Sequence, residues 1–169
     1  MMNDSYDSSA PLQLTVDIGA QRLRRVQQGI ITHEYAISSA KNGVGGQRGS
    51  EKTPLGAHYI RAKIGANAPV NAVFVGRRPT GEIYSPTLAR AYPKRDWILT
   101  RIMWLCGQEV GVNRLGQVDS MQRYIYLHGT PDDQPMGIPL SHGCIRMRNA
   151  DIIELFEIIP AFCSVLIHP

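Results

Sequence analysis

No run of apolar residues in this 169-residue chain approaches the roughly 20 that a helix needs to cross a bilayer. The first eleven residues, Met1 to Pro11, also lack a basic start, an apolar stretch and a small-residue cleavage site, and they read as a flexible N-terminal tail. The expected location is therefore cytoplasmic, or the periplasm and cell envelope if an export signal has been removed. Cysteine is scarce: Cys106, Cys144 and Cys163 cannot all pair and show no close spacing, which favours a reducing compartment. Cys-x-x-Cys and His-x-x-x-His pairs are absent, so a structural zinc site has little to start from, and no cofactor motif stands out. Aromatic residues make up only 7%, and they do not interleave with the arginines at 22, 24, 25, 77 and 78. A nucleic-acid stacking platform is thereby disfavoured despite the net charge of +4. A carboxylate-rich substrate explains that charge equally well.

What is present is a globular composition, 43% hydrophobic and 19% charged, in a chain of one-domain length with residues 12–169 as the folded unit. Leu12 to Ile18, Arg22 to Gln27, Ile30 to Ser38, His58 to Ile64, Val70 to Val75 and Ile98 to Leu105 alternate or are rich in β-formers between glycine-containing turns. The strand-helix alternation of a parallel sheet is missing, so the expectation is a mostly β, antiparallel sandwich or barrel. One helix is predicted near the C-terminus, capped by Asn149, apolar at Ile152, Phe156 and Ile159, and stopped by Pro160. Residues 76–96 carry few core signals and read as a loop, either a lid flanking a cleft or a plain surface excursion.

The chemistry concentrates in Ser141-His142-Gly143-Cys144-Ile145-Arg146-Met147 and in His128-Gly129-Thr130, with sixteen positions from His128 to Cys144. A cysteine nucleophile needs a base and donors for the oxyanion that forms when it attacks a carbonyl. Arg123 to His128 reads as a strand in which Ile125 and Leu127 face the core while Tyr124, Tyr126 and His128 face a cleft. Gly129 is expected to end that strand, with its carbonyl holding the imidazole through Nδ1–H. The turn-forming stretch from Pro131 to Pro139 then brings Cys144 back to His128. Gly143 lets the backbone approach a substrate closely, so the Gly143 and Cys144 amides can converge on one oxygen. Arg146 shares a face with Cys144 and suits a carboxylate of the substrate or of a neighbouring side chain. His142 is a site-lining residue or a loop anchor, Ser141 a substrate contact or a loop-capping hydroxyl, and Tyr126 a substrate contact or a packing residue. A zinc site built on His128, His142 and Cys144 is the chemical alternative. Cys106 and Cys163 lie in apolar settings and read as buried small side chains.

The segment Ile125 to Arg146, with its His-Gly and its Ser-His-Gly-Cys-Ile-Arg, resembles the active-site signature of the YkuD-like L,D-transpeptidase catalytic domain. Thr53-Pro54-Leu55-Gly56 resembles that family's Thr-Pro-x-Gly turn, which the residues themselves mark only as turn chemistry. One departure is Ile159-Pro160-Ala161-Phe162, where a glycine is expected before the last strand. The resemblance implies a β-rich fold and acyl transfer on peptidoglycan stem peptides or muropeptides, in which a cysteine attacks the carbonyl of the third residue and expels D-alanine. It assigns Cys144 as nucleophile, His128 as base and Gly129 as its orienter. It lines the site with His142, Gly143 and Arg146; taken with the residue types themselves, the oxyanion hole is expected from Gly143, Cys144 and His142, and substrate contacts from Arg146, Tyr126 and Ser141. It also implies reaction with carbapenems. Three functions follow from it: a cross-linking L,D-transpeptidase, which needs export; an L,D-carboxypeptidase with water as acceptor, in muropeptide recycling; and a binding module without turnover, which the intact cysteine, histidine and glycine set argues against. Without an export signal, the carboxypeptidase is the expected function.

Overall fold

The computed structural model describes residues 11–169, so the expectation for the N-terminal tail falls almost wholly outside the described residues. All six strands read from the sequence form, to within two residues at either end: β1 (Gln13–Asp17), β2 (Arg22–Gln27), β3 (Ile30–Ser38), β4 (Gly56–Ile64), β5 (Ala72–Val75) and β7 (Ile98–Gly107). Residues 76–96 are more regular than expected. They hold β6 (Arg78–Ile83) and the short helix α1 (Pro86–Ala91), which Ser85 caps by accepting from Leu88 N–H and Pro86 opens with its fixed φ. The remaining elements are β8 (Tyr126–Thr130), β9 (Ile145–Arg148), α2 (Asn149–Ile158) and β10 (Ser164–His168).

The strands form one sheet in the order β4-β10-β1-β2-β3-β9-β8-β7-β5-β6, and β4 also pairs with β7. That pairing closes eight strands into a barrel and leaves β5–β6 as a hairpin added outside it. Closure removes the unpaired edges that β4 and β7 would otherwise present. Most pairs are antiparallel, but β1–β10 and β8–β9 are parallel. A parallel pair needs a long crossover, and Pro131 to Cys144 supplies it between β8 and β9.

Alternation along the strands divides the apolar side chains into two cores. The larger, within the barrel, joins Leu14, Val16, Leu23, Ile37, Ile60, Leu105, Leu127, Ile145 and Met147 to Ile152, Leu155, Phe156 and Ile159 of the α2 region. The helix buries the expected face, but its cap differs. Arg148 is the N-cap residue and makes no side-chain cap bond. Asn149 is instead the first helical residue, and its amide accepts from Thr100 Oγ1 at 2.6 Å and donates to Asn71 Oδ1 at 2.9 Å. A polar network therefore claims a side chain that local capping rules would assign to the helix. The smaller core, on the outer face, contains Ala72, Phe74, Ile102 and Tyr126, with Trp104 and Cys144 packed against it. The β5–β6 hairpin covers it, and this cover positions the cleft.

Two backbone positions bear on the sequence reading. Gly129 does not end its strand, because β8 continues to Thr130. A Cβ at Gly129 would stand 2.5 Å from Asn149 Oδ1 and 2.6 Å from the Leu99 carbonyl, so close approach is what requires glycine there. Before β10, Phe162 takes φ +69°, the left-handed conformation for which a glycine was expected.

Candidate active site

The parallel register of β8 and β9 sets His128 opposite Arg146 and Leu127 opposite Ile145. Carried two residues back, that register brings Cys144 beside Tyr126, whose backbone N–H donates to the Cys144 Sγ at 3.3 Å. Period-two alternation then turns Ile145 and Met147 into the main core and leaves His128, Cys144 and Arg146 on the outer face. On that face His128 and Cys144 are diagonal neighbours, with Cα atoms about 8 Å apart from the strand spacing and a two-residue rise. Two side chains pointing the same way can meet across that distance. Among the described residues no hydrogen bond joins them, and the Cys144 thiol donates to the Tyr124 carbonyl at 3.2 Å. The strand expected from Arg123 begins only at Tyr126, because Tyr124 has φ +58° and turns its carbonyl toward the sulfur.

His128 is buried, and its Nδ1 lies 2.6 Å from the Gly129 carbonyl. This contact assigns the proton to Nδ1 and leaves Nε2 as the acceptor. Burial pushes the imidazole below its ordinary pKa, opposed by the Gly129 carbonyl and the Asp96 carboxylate. The ring is therefore neutral at pH 7 and able to take a proton. Burial likewise pushes the Cys144 thiol up, to about 12, with Asp96 adding to the rise while the Tyr126 amide, Arg146 and Arg123 oppose it. The resting pair is thiol and imidazole, with no thiolate-imidazolium ion pair. A histidine-paired cysteine is often held at low pKa, but here desolvation outweighs the nearby positive charge.

The nucleophile loop is tied down on three sides. Ser141 Oγ donates to the Cys144 carbonyl and accepts from Gly143 N–H at 3.2 Å, so Ser141 is a loop anchor, and the Gly143 amide is turned toward it in this state. Gly143 has φ +132°, open to glycine alone without strain. Lys41 N–H donates to the Ser141 carbonyl at 2.9 Å, which extends the β3 end into the loop. Thr53, from the Thr-Pro-x-Gly turn, is completely buried; its hydroxyl donates to the Gly143 carbonyl at 2.9 Å and accepts from Ala40 N–H at 2.9 Å. Reading that turn as turn chemistry alone misses this contact. Thr53→Val removes a hydroxyl serving two buried groups, each costing about 1–3 kcal/mol when left unpaired. The expected result is a turnover number down roughly tenfold or more, largely restored by Thr53→Ser, as read by initial rates on each folded variant.

Arg146 Nη2 donates to Asp96 Oδ1 at 3.1 Å, and His142 Nδ1 lies 3.5 Å from Asp96 Oδ2. Burial raises the Asp96 pKa, but the surrounding His128, Arg146 and His142 side chains outweigh it and hold the carboxyl below its usual range. Asp96 thus pairs with Arg146 and His142 and acts on His128 through its charge, although no motif marks it in the sequence. Its one signal is that it stands as a lone acid beside Lys94 and Arg95. Tyr126 is buried, with its hydroxyl accepting from Arg77 Nη1 at 3.2 Å, while the Arg77 guanidinium lies over the Trp104 and Tyr124 rings, 4.7 Å from each centroid. Cys106 and Cys163 are buried, and all three cysteines are free thiols. His128, His142 and Cys144 do not converge on a common point, and no group of three or more His, Cys, Asp or Glu side chains among the described residues is placed to hold a metal ion. No helix among them is long and apolar enough to cross a membrane.

A half-buried thiol, a neutral imidazole with Nε2 unoccupied among the described residues and a glycine-hinged loop, all on the outer face of a closed barrel, are groups of the kind that acyl transfer through a thioester uses. The L,D-transpeptidase catalytic domain model, YkuD, matches residues 11–167, and the chain belongs to that family. The YkuD protein of Bacillus licheniformis is 44% identical over 43 residues, 25% of this chain and 26% of its own length. The YbiS protein of Escherichia coli K12 is 47% identical over 38 residues, 22% of this chain and 12% of its own length. An L,D-transpeptidase from Mycobacterium smegmatis superposes with a TM-score of 0.58 at 16% identity, covering 95% of this chain and 59% of that one. The Bdellovibrio bacteriovorus protein Bd1075 gives 0.59 at 17%, covering 97% and 50%. The chain therefore spans less than two thirds of the length of these relatives, and the structural likeness is one of fold.

Proposed function

We propose that the chain is a cysteine acyltransferase of peptidoglycan stem peptides that hydrolyses its thioester, an L,D-carboxypeptidase. Cys144 Sγ attacks the carbonyl carbon of the third stem residue as its proton passes to His128 Nε2. The tetrahedral intermediate collapses, the carbon–nitrogen bond to D-alanine breaks, and the imidazolium returns the proton to the leaving amine. Water, deprotonated by the same nitrogen, then cleaves the thioester and frees the tripeptide. The observation that carries this reading is the neutral His128 ring, fixed by the Gly129 carbonyl with Nε2 unoccupied, on the same face as Cys144. Family membership supports the substrate class. Muropeptide recycling in the cytoplasm is the setting that suits water as the acceptor.

One observation favours a second reading, in which an amine resolves the thioester and cross-links form. A cavity of about 390 Å³ lies on the far side of the nucleophile loop, bounded by Arg48, Glu51, Arg123, Tyr124 and His142. It gives an acceptor peptide a place to bind. Incubation of the purified protein with a disaccharide-tetrapeptide, followed by mass analysis, separates the two. Tripeptide plus free D-alanine as the main products supports hydrolysis. Dominant cross-linked dimers, or exchange of D-alanine for an added D-amino acid, would replace the carboxypeptidase with a transpeptidase, and recovery of the protein from the cell envelope would remove the recycling role.

A further inference from the structure

On the other side of the nucleophile loop lies a second cavity, of about 330 Å³, which includes Tyr84, Lys94, Arg95, Trp97, His142 and Arg146 in its wall. It is contiguous with the candidate site through His142 and Arg146. Three permanent positive charges, Lys94, Arg95 and Arg146, line it against the single carboxylate of Asp96, a net +2 from these four side chains. Asp96 is already engaged by Arg146 and His142. Lys94 is exposed and forms no salt bridge among the described residues.

Arg95 is built in more firmly. Its guanidinium lies 4.2 Å from the centroid of the Tyr92 ring and 4.8 Å from that of Trp97, and Nη1 donates to Glu82 Oε1 at 2.8 Å. Trp97 is itself braced edge-on by Tyr84, with centroids 5.1 Å apart. Glu82 occupies one donor and the two rings fix the plane, so the remaining donors of a rigid fork stay available at little entropic cost. A guanidinium held this rigidly in a cavity that adjoins the nucleophile loop through His142 and Arg146 is suited to an anionic group on the substrate, and a carboxylate matches the planar fork.

We infer that this cavity reads a carboxylate of the donor peptide, with Lys94 and Arg95 as the residues that distinguish a free carboxylate from its amide. The inference rests on the donor being a stem peptide, as proposed above. When its third residue is a diamino acid that carries a side-chain carboxylate, such a peptide offers two carboxylates near the attacked carbonyl: that one, and the C-terminal one of the leaving residue. Both present the same chemistry to the cavity.

The test is calorimetric binding to the Cys144→Ala protein, which needs no turnover. Three tetrapeptides are compared: one with both carboxylates free, one with the third-residue side chain as a carboxamide, and one with a C-terminal carboxamide. The expected result is that one amide binds more weakly than the parent by roughly tenfold or more, the scale of a lost charge-assisted hydrogen bond. Which amide is the weak one identifies the carboxylate that is read. In the Cys144→Ala background, Lys94→Gln with Arg95→Gln should weaken the parent by a similar factor and leave that amide nearly unchanged. Equal affinity for all three peptides, no binding by any, or an equal loss for acid and amide in the double variant would overturn the inference. Carboxylate-dependent binding without any D-alanine release by the unmodified protein would keep the cavity's role and remove the reaction proposed for it.

Discussion

Replacing Cys144 by alanine is expected to abolish D-alanine release, a loss on the order of the 10⁶-fold recorded when the nucleophile of a cooperating set is removed. The fold should persist, since Cys144 is only half-buried at the mouth of the smaller core. The unmodified thiol carries a more discriminating signature. Burial pushes Cys144 up to about 12, so its thiolate is rare at neutral pH and its population rises tenfold for each pH unit below that value. Because Cys144 is the most exposed of the three thiols, alkylation by iodoacetamide, located by mass mapping, should fall on it, and because its thiolate is scarce the reaction should accelerate steadily from pH 7 to 10. Cys106 and Cys163 are each only 7% exposed and should remain slow. Adducts mainly on either of them would remove Cys144 from the nucleophile's place. A labelling rate already flat at pH 7 would show a thiolate stabilised in the resting enzyme.

The contrast between the two pKa directions and the usual behaviour of a histidine-paired cysteine shows where sequence reading stops. Residue types and spacing announce a thiol, an imidazole and a glycine hinge, and period-two alternation puts each on the correct face. Alternation is local, fixed by the pleat, and needs no knowledge of what packs above it. The sign of a pKa shift depends on what covers the group. Here part of that cover is the β5–β6 hairpin, whose Ala72 and Phe74 belong to the core that Cys144 packs against, while β6 falls within residues 76–96, which show little core signal because they bury few of their own side chains. The same limit hides Asp96 and Thr53. Asp96 reaches Arg146 across a separation of 50 residues and Thr53 reaches Gly143 across 90, contacts that exist only once the barrel has closed. Asn149 shows the complement, a strong local rule overridden. Its capping propensity is real, but Thr100, at φ +74° beside a register shift in β7, delivers a hydroxyl that claims its side chain.

His128→Ala is expected to lower the turnover number by about 10²–10⁴-fold, the usual contribution of a positioned general base. A stability cost should accompany it, because the ring is almost fully buried, and removal leaves a cavity and an unpaired Gly129 carbonyl worth about 1–3 kcal/mol. His128→Asn, which restores a donor near the Nδ1 position but no base, should recover much of the stability and little of the rate. If it recovers both, the histidine serves packing and the base lies elsewhere. The pH profile of the unmodified enzyme provides the mechanistic test. Only the neutral ring can accept the thiol proton, and burial holds its pKa below the ordinary 6.5, so the neutral form persists on acidification past the point where a free imidazole would protonate. kcat/KM should accordingly stay level from pH 9 down to about 6.5 and decline only below it. No alkaline limb should appear in that range, because the Cys144 thiol does not ionise until pH approaches about 12. A resting thiolate-imidazolium pair would behave oppositely, with its active form lost as rising pH deprotonated the imidazolium. A bell falling away above neutral pH would therefore overturn the neutral-pair mechanism while leaving both residues in the site.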